Sequence, residues 1–400
     1  MATFWNVPII GYMASSNAFA DKSIYRTLAR VSLRTTNSLA EAVAALLNHY
    51  GWTKAFFDVG IATNTGALAF ERVVAFEEVF HMRKITVLKK VMFDEYADAK
   101  AMQQSGLLNE LANNARIIIC IFSSTREMSK EFMKAASTAK LNTHDFVYIL
   151  PWLQRNKKAD QTKQLKVHEF SEGSHSQACR PTETKDLSPW IGEDGQIQQN
   201  VKDHFANALI IDDVNGFDDT LVTPFRERVE ANGMSVDDLD LKNVYGYIHL
   251  YDALRLYAIA VRTSMNLTGN ENIYQDGRFV WNQMRRITFP GLVSAAGISS
   301  GTVMMDDIAE RAPVYAAFYV SPNSETVKKI NEIEPILIEK CDGLKTKTGC
   351  FDLHITDVMT GFWPSPDGAL PKQEPPCGYR NERCDYTMII IAGRLCCSCC

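Results

Sequence analysis

The chain has 400 residues, a formal net charge of −5 and 46% hydrophobic residues, a composition that suits a globular protein with room for two domains or lobes. The slightly acidic balance, with no basic stripe and no aromatic–arginine platform, argues against a nucleic-acid partner. Met1-Ala2-Thr3-Phe4-Trp5-Asn6 lacks the charged start and apolar run of a signal peptide, and no stretch reaches the ~18–20 apolar residues that cross a bilayer.

In chain order, apolar runs alternate with segments of helical period. Pro8–Tyr12 reads as the first strand. Ser38–Tyr50 follows as a helix, with Leu39, Ala42, Val43, Leu46 and Leu47 on one face. Ser38-Leu39-Ala40-Glu41 has the form of a capping box, in which serine and glutamate satisfy each other's free amides. Strands are expected at Ala55–Val59, Ile85–Met92 and Arg116–Phe122, the last followed by a second box, Ser124-Thr125-Arg126-Glu127. A strand at Phe146–Leu150 precedes Asn156–Asp186, a polar stretch without period that reads as an exposed insertion. Ala208–Ile211 is the next strand, Thr223-Pro224 a helix start with proline in the first turn, and Val314–Val320 the last strand. Strand, capped helix, strand is the pattern of parallel α/β layers joined by right-handed crossovers.

The cysteines weigh against a reducing compartment. Cys341 and Cys350, then Cys377 and Cys384, bound two short polar loops, which read as disulfides, with unpaired thiols as the alternative. Cys396-Cys397-Ser398-Cys399-Cys400 contains Cys-x-x-Cys twice, but no second ligand pair stands nearby to complete a zinc site; lipidation or a spliced terminus are the other readings. No His-Glu-x-x-His spacing and no phosphate loop occur, so no metal and no cofactor are expected. Gly297-Ile298-Ser299-Ser300-Gly301 matches the nucleophile elbow of hydrolases, but Thr302–Asp306 behind it reads as a strand, and a Gly/Ser hairpin is favoured over a catalytic Ser299. Asn266-Leu267-Thr268 is a glycosylation sequon. Ligands of parallel α/β sheets sit beyond the carboxyl ends of strands, which singles out Ala14–Phe19, Gly60–Thr65, Ser123–Ser124 and Pro151–Leu153. Their small hydroxyl and amide side chains suit hydrogen-bonded recognition better than acid–base chemistry.

Several motifs, in this order, resemble the extracellular region of receptor-type guanylate cyclases, nearest to the nematode chemosensory branch, with the natriuretic peptide receptors as more distant kin. They are Phe4–Gly11, Tyr25–Arg30, His49-Tyr50-Gly51-Trp52, Gly246–Leu254, Trp281-Asn282 with Phe289-Pro290-Gly291, and Pro376-Cys377-Gly378-Tyr379-Arg380-Asn381-Glu382-Arg383-Cys384. The resemblance runs from Phe4 to about Ala392, apart from Asn156–Asp186. It implies a two-lobed periplasmic-binding-protein type I fold, crossed three times by the chain. Lobe one would hold about 1–52 and 214–307. Lobe two would hold about 53–213 and 312–384, with 156–186 inserted. Residues 385–400 would be the interrupted start of a membrane helix, stopped at Arg394, with a Cys-rich tail.

The resemblance also implies a homodimer on the extracellular side of the plasma membrane. Hinge closure or dimer rearrangement would regulate cyclic GMP synthesis by intracellular domains, and this chain itself would not be an enzyme. The ligand would be a small molecule, an ion or a peptide. Cleft candidates, chosen by loop position, are Ser15, Ser16, Asn17, Arg30, Ser32, Thr63, Asn64, Ser123 and Trp152. Departures from the family pattern are expected as well: the opening strand–helix units of lobe one and the chloride loop are missing, so no chloride site is assigned and lobe one should expose apolar faces. The alternatives carried are a soluble decoy of the same fold and a serine hydrolase using Ser299.

Overall fold

The longest apolar runs become the interior strands of an eight-stranded sheet. The computed structural model describes residues 4–12, 14, 17–31, 36–52, 58–124, 126–151, 190, 198–213, 230–233, 244–292, 301–312, 314–321, 327–346, 350–372 and 377. The expected insertion 156–186, the Thr223-Pro224 helix start and residues 385–400 lie outside this set. Two short strands, β1 (Ile9–Gly11) and β2 (Leu28–Arg30), pair in parallel. The large sheet then takes β3 (Asp58–Asn64), β4 (Thr86–Phe93), β5 (Ile117–Ile121), β6 (Val147–Pro151) and β7 (Ala208–Asp213). β8 (Thr288–Pro290) and β9 (Thr302–Met304) form an antiparallel hairpin. β10 (Tyr315–Tyr319), β11 (Lys328–Leu337) and β12 (Phe351–Asp357) rejoin the sheet, whose order is β4-β3-β5-β6-β7-β10-β11-β12. Pairing is parallel from β4 to β7 and antiparallel from β7 to β12.

Both faces of the sheet are covered, which explains why β5 and β6 are buried along their whole length rather than alternating. On one face Ile117, Ile119 and Ile121 of β5 meet α1 (Thr36–His49) and α2 (Ala67–Met82), through Leu39, Val43, Leu46 and Leu47 and through Val73, Phe76, Val79 and Phe80. Trp363 from beyond β12 closes the same core and donates its indole N–H to the His144 carbonyl at 2.8 Å. On the other face Ile118 and Cys120 meet α3 (Ala99–Gln104), α4 (Leu107–Ala112) and α5 (Glu127–Thr138). Edge strand β4 alternates exposed and half-buried positions until Val91. It carries Lys89 and Lys90, and its register against β3 shifts between Val59 and Gly60. Charge and a bulge blunt an edge that could otherwise pair with another chain.

A smaller core gathers Ala29 of β2 and Val31 just after it, Ala253, Leu256 and Ala260 from the helix Val244–Thr268, Trp281 from the helix Gly277–Asn282, and Val303 and Met305. Trp281 donates its indole N–H to the Leu28 carbonyl at 2.9 Å. Arg311 and Asp252, both with fully buried side chains, pair at 3.1 Å and join the long helix to the segment that returns toward β10. Phe4 and Trp5 stand 84% and 69% exposed beside β1, a run of apolar surface that no described element covers.

Several expectations change. Of the strand expected at Ala55–Val59, residues 55–57 lie outside the described set, and β3 continues past Val59 to Asn64 because Gly60 does not end it: Ile61 and Ala62 are fully buried and Gly60 lies against Leu111 and Ala115, where a Cβ would sit 2.7 and 2.9 Å from their side chains. Most of the loop expected at Gly60–Thr65 is therefore strand. The capping box at Ser38 is not formed. The helix begins at Thr36, the Ser38 hydroxyl bonds the Tyr315 hydroxyl at 2.8 Å, and Glu41 pairs with Arg83 at 2.8 Å. At the second box Ser124 bonds the Glu127 carboxylate, and α5 has no side-chain cap on its amides. The segment 1–52, expected in one lobe, divides: β1 and β2 serve the smaller core, whereas α1 packs on the large sheet. Leu46, fully buried in α1, tests that placement. Leu46→Ala should cost about 2–5 kcal/mol in urea unfolding; a loss well under 1 kcal/mol would show that α1 does not seal the sheet.

Candidate functional site

Strand order fixes where a crevice opens. From β3 the chain runs through α2 to β4 on one side, whereas the next strand, β5, lies on the other side of β3. The helix that follows β3 covers one face and the helix that follows β5 covers the opposite face, so the connections leaving the carboxyl ends of these two strands run to opposite sides of the sheet. Such a reversal of winding is where open α/β sheets take ligands.

The residues at that point are Thr63 and Asn64 at the end of β3, Thr65 and Gly66 just after it, and Phe122 and Ser123 after β5. Asn64 donates from Nδ2 to the Ser123 hydroxyl at 2.7 Å and accepts the Ser123 backbone N–H on Oδ1 at 2.9 Å. One amide thereby pins both strand ends, and both side chains are buried. Gly66 opens α2 with no side-chain cap. A Cβ there would come within 2.6 Å of both Ser123 Cβ and Glu95 Oε1, so only glycine allows the close approach. The Glu95 carboxylate rests against this corner, and its backbone N–H donates to the Thr65 hydroxyl at 3.0 Å. Arg72 of α2 donates to the carbonyls of Phe122 and, at 3.2 Å, Ser123, and burial pulls its pKa below the ordinary guanidinium value. Thr63 is 1% exposed, and its hydroxyl has no hydrogen-bond partner among the described residues. Beneath these ends a small pocket is lined by Thr36, Leu39, Arg72, Phe76, Ile121, Phe122 and Pro151. The arrangement offers amide, hydroxyl and carboxylate groups on a rigid strand frame. That suits holding a small molecule by hydrogen bonds.

The structure therefore brings Thr63, Asn64 and Ser123 together. Arg30 stands in another network: it is 1% exposed, pairs with Glu310 at 2.6 Å and donates to the Ala14 carbonyl at 3.2 Å, while Lys22 reaches the same glutamate at 2.9 Å. Asn17 begins a single turn of 3-10 helix, Asn17–Ala20. Ser15, Ser16, Ser32 and Trp152 lie outside the described residues, as does Ser299. Behind Ser299, Gly301 leads into strand β9, not a helix, so the geometry of a nucleophile elbow is not met. Gly66, Arg72 and Glu95 were not anticipated; the signal within reach was the small run Thr-Asn-Thr-Gly closing a buried strand.

Cys341 and Cys350 form a disulfide, with Cα atoms 5.6 Å apart. Cys377 is also disulfide-bonded, and Cys384, its expected partner, lies outside the described residues. Asn266 is exposed in the last turn of the long helix, beside Leu267 at 65% exposure. Among the described residues no His, Cys, Asp and Glu cluster could hold a metal ion, and no helix is long and apolar enough to cross a membrane.

Comparison with known proteins adds the following. The pattern of the receptor family ligand binding region matches residues 1–323. The chain is 64% identical over 393 residues to receptor-type guanylate cyclase gcy-23 of Caenorhabditis elegans, covering 98% of this chain and 34% of that protein. It is 53% identical over 395 residues to receptor-type guanylate cyclase gcy-8 of the same organism, covering 99% and 32%. A more distant likeness, 24% over 313 residues, is to receptor-type guanylate cyclase gcy-20, covering 73% and 26%. The chain thus spans about a third of the length of the first two relatives.

Proposed function

The chain belongs to the receptor family ligand binding region, and from that premise we propose that it is the extracellular sensing region of a membrane receptor guanylate cyclase. The observation that carries the reading is the reversal of winding at the carboxyl ends of β3 and β5, placed within a chain that aligns almost end to end with one part of much longer receptor cyclases. In this reading a ligand enters the crevice beside Asn64, Ser123 and Thr63. Its binding shifts the smaller core against the large sheet, within one chain or between two chains of a dimer, as in other hinge-closing binding proteins. That change would set cyclic GMP synthesis by intracellular domains. The chain described here supplies recognition, and none of its crevice groups has the constellation of a nucleotide cyclase or of a hydrolase.

A thermal-shift screen of small polar molecules against the 400-residue chain tests the site. A true ligand at about a hundred times its Kd stabilises the folded form by roughly 2.7 kcal/mol. Asn64→Ala and Ser123→Ala should each erase most of that stabilisation. A compound that protects the native chain and both variants equally would place recognition elsewhere.

A further inference from the structure

We infer that the loop closed by Cys341 and Cys350 is a strut that fixes the spacing between the smaller core and the edge of the large sheet. The loop joins β11 to β12, at the antiparallel edge of that sheet. Its buried Gly343 donates its N–H to Asp307 Oδ2 at 2.6 Å. Asp307 follows β9 and is itself 3% exposed. Two arginines of the smaller core's side hold it: Arg285 Nη2 lies 3.0 Å from Oδ2 and Arg286 Nη1 3.4 Å from Oδ1, and Arg285 Nε donates to the Asp307 carbonyl at 2.7 Å.

The contact continues back into the sheet. Arg286 Nη2 donates to the Ile338 carbonyl at 2.9 Å, and the Ile338 N–H donates to the Cys350 carbonyl at 2.9 Å. Leu344, from the same loop, packs on the smaller core. One buried carboxylate is thus shared between two arginines on the smaller core's side and the Gly343 N–H of the loop, and it keeps all three donors only while the two units hold their spacing. A covalent loop closed at a sequence separation of 9 has few conformations, so it presents the Gly343 N–H at one fixed position. Any displacement of the smaller core must break this set or carry the loop with it. The strut does not depend on what the crevice binds.

The test places two spin labels, by noncanonical amino acids, at exposed Arg262 on the long helix and exposed His81 on α2 of the 400-residue chain. The native chain should give one narrow distance distribution. Asp307→Ala, and Cys341→Ser combined with Cys350→Ser, should each broaden and shift it. In Asp307→Ala the Gly343 amide should exchange with solvent roughly 10- to 100-fold faster, the range that a hydrogen bond to a charged acceptor supports. Amides of Ile118–Cys120 in β5 should keep their protection, which separates a released strut from an unfolded chain. Where Asp307→Ala does not fold, Asp307→Asn keeps the shape and removes the charge. Distributions that superimpose on the native one in the aspartate and cysteine variants, with Gly343 exchange accelerated, overturn the inference.

Discussion

Asp252→Ala should cost about 3–5 kcal/mol of folding stability, because it leaves the Arg311 guanidinium buried without its carboxylate. The two side chains are fully buried and 3.1 Å apart, and Asp252 Oδ1 also accepts the Leu292 N–H at 3.0 Å, so two donors lose their acceptor together. His249, its Nδ1 3.4 Å from Arg311 Nη1, is too distant a neighbour to replace a carboxylate. Denaturant unfolding followed by the fluorescence of Trp281, which sits in the same core, reads the loss. Exchanging both partners, Asp252→Leu with Arg311→Met, should recover a large part of it, since buried pairs replaced by apolar groups of similar volume are often neutral. A single variant within about 1 kcal/mol of native would mean that the pair is not desolvated as the structure has it.

Stability should fall as pH rises from about 4 through about 7, and the group responsible is Asp306. Burial, and then the neighbouring Glu310, push its pKa from 3.8 up to about 7. Between those values the folded chain holds a proton that the unfolded chain has released, so each pH unit removes about 1.4 kcal/mol at most. The contribution is fully present below about pH 4 and is lost once pH passes the folded pKa. Asp306 Oδ1 accepts the N–H groups of Ile308 at 2.9 Å and Glu310 at 2.8 Å, bonds that an asparagine oxygen can keep. Asp306→Asn should therefore flatten melting temperature against pH between 5.5 and 8 and raise it at the alkaline end. An unchanged slope in the variant would assign the dependence to other groups. Glu41, also raised by burial, acts in the same sense, whereas the lowered Lys22 acts at alkaline pH.

What could be read from the chain follows from how each element is buried. β5, β6, β7 and β10 announce themselves because strands covered on both faces need unbroken apolar runs. β11 does not: Lys328-Lys329-Ile330-Asn331-Glu332-Ile333-Glu334-Pro335 alternates apolar and charged residues near an edge, and its partners are set by distant pairing with β10 and β12. β2 is three residues long and is defined by a pairing that no local pattern encodes. Ser38 looked like a cap because serine three residues before glutamate is a local signature; its true partner, Tyr315, is 277 residues away. Asn64 and Ser123 were within reach, since the rule about carboxyl ends of strands needs only strand positions. Arg72 and Glu95 were not, because their roles come from a helix and a strand end folding back over the crevice. Arg30 was selected by loop position, and its pairing with Glu310 across 280 residues could not be foreseen.

The return of the chain to the sheet bears on how the protein is made. Asp213 ends β7 and pairs with Tyr315 of β10, with the long helix, the β8–β9 hairpin and the Asp252–Arg311 pair all lying between them in sequence. On a ribosome the parallel half from β3 to β7 is complete long before its neighbour exists, so the β7 edge waits unpaired through the synthesis of the intervening core. Contacts of such long separation form slowly, and exposed strand edges attract other chains meanwhile. The yield of folded protein should accordingly be limited by aggregation of nascent chains arrested between β7 and β10, and lower growth temperature or slower synthesis past residue 213 should raise it.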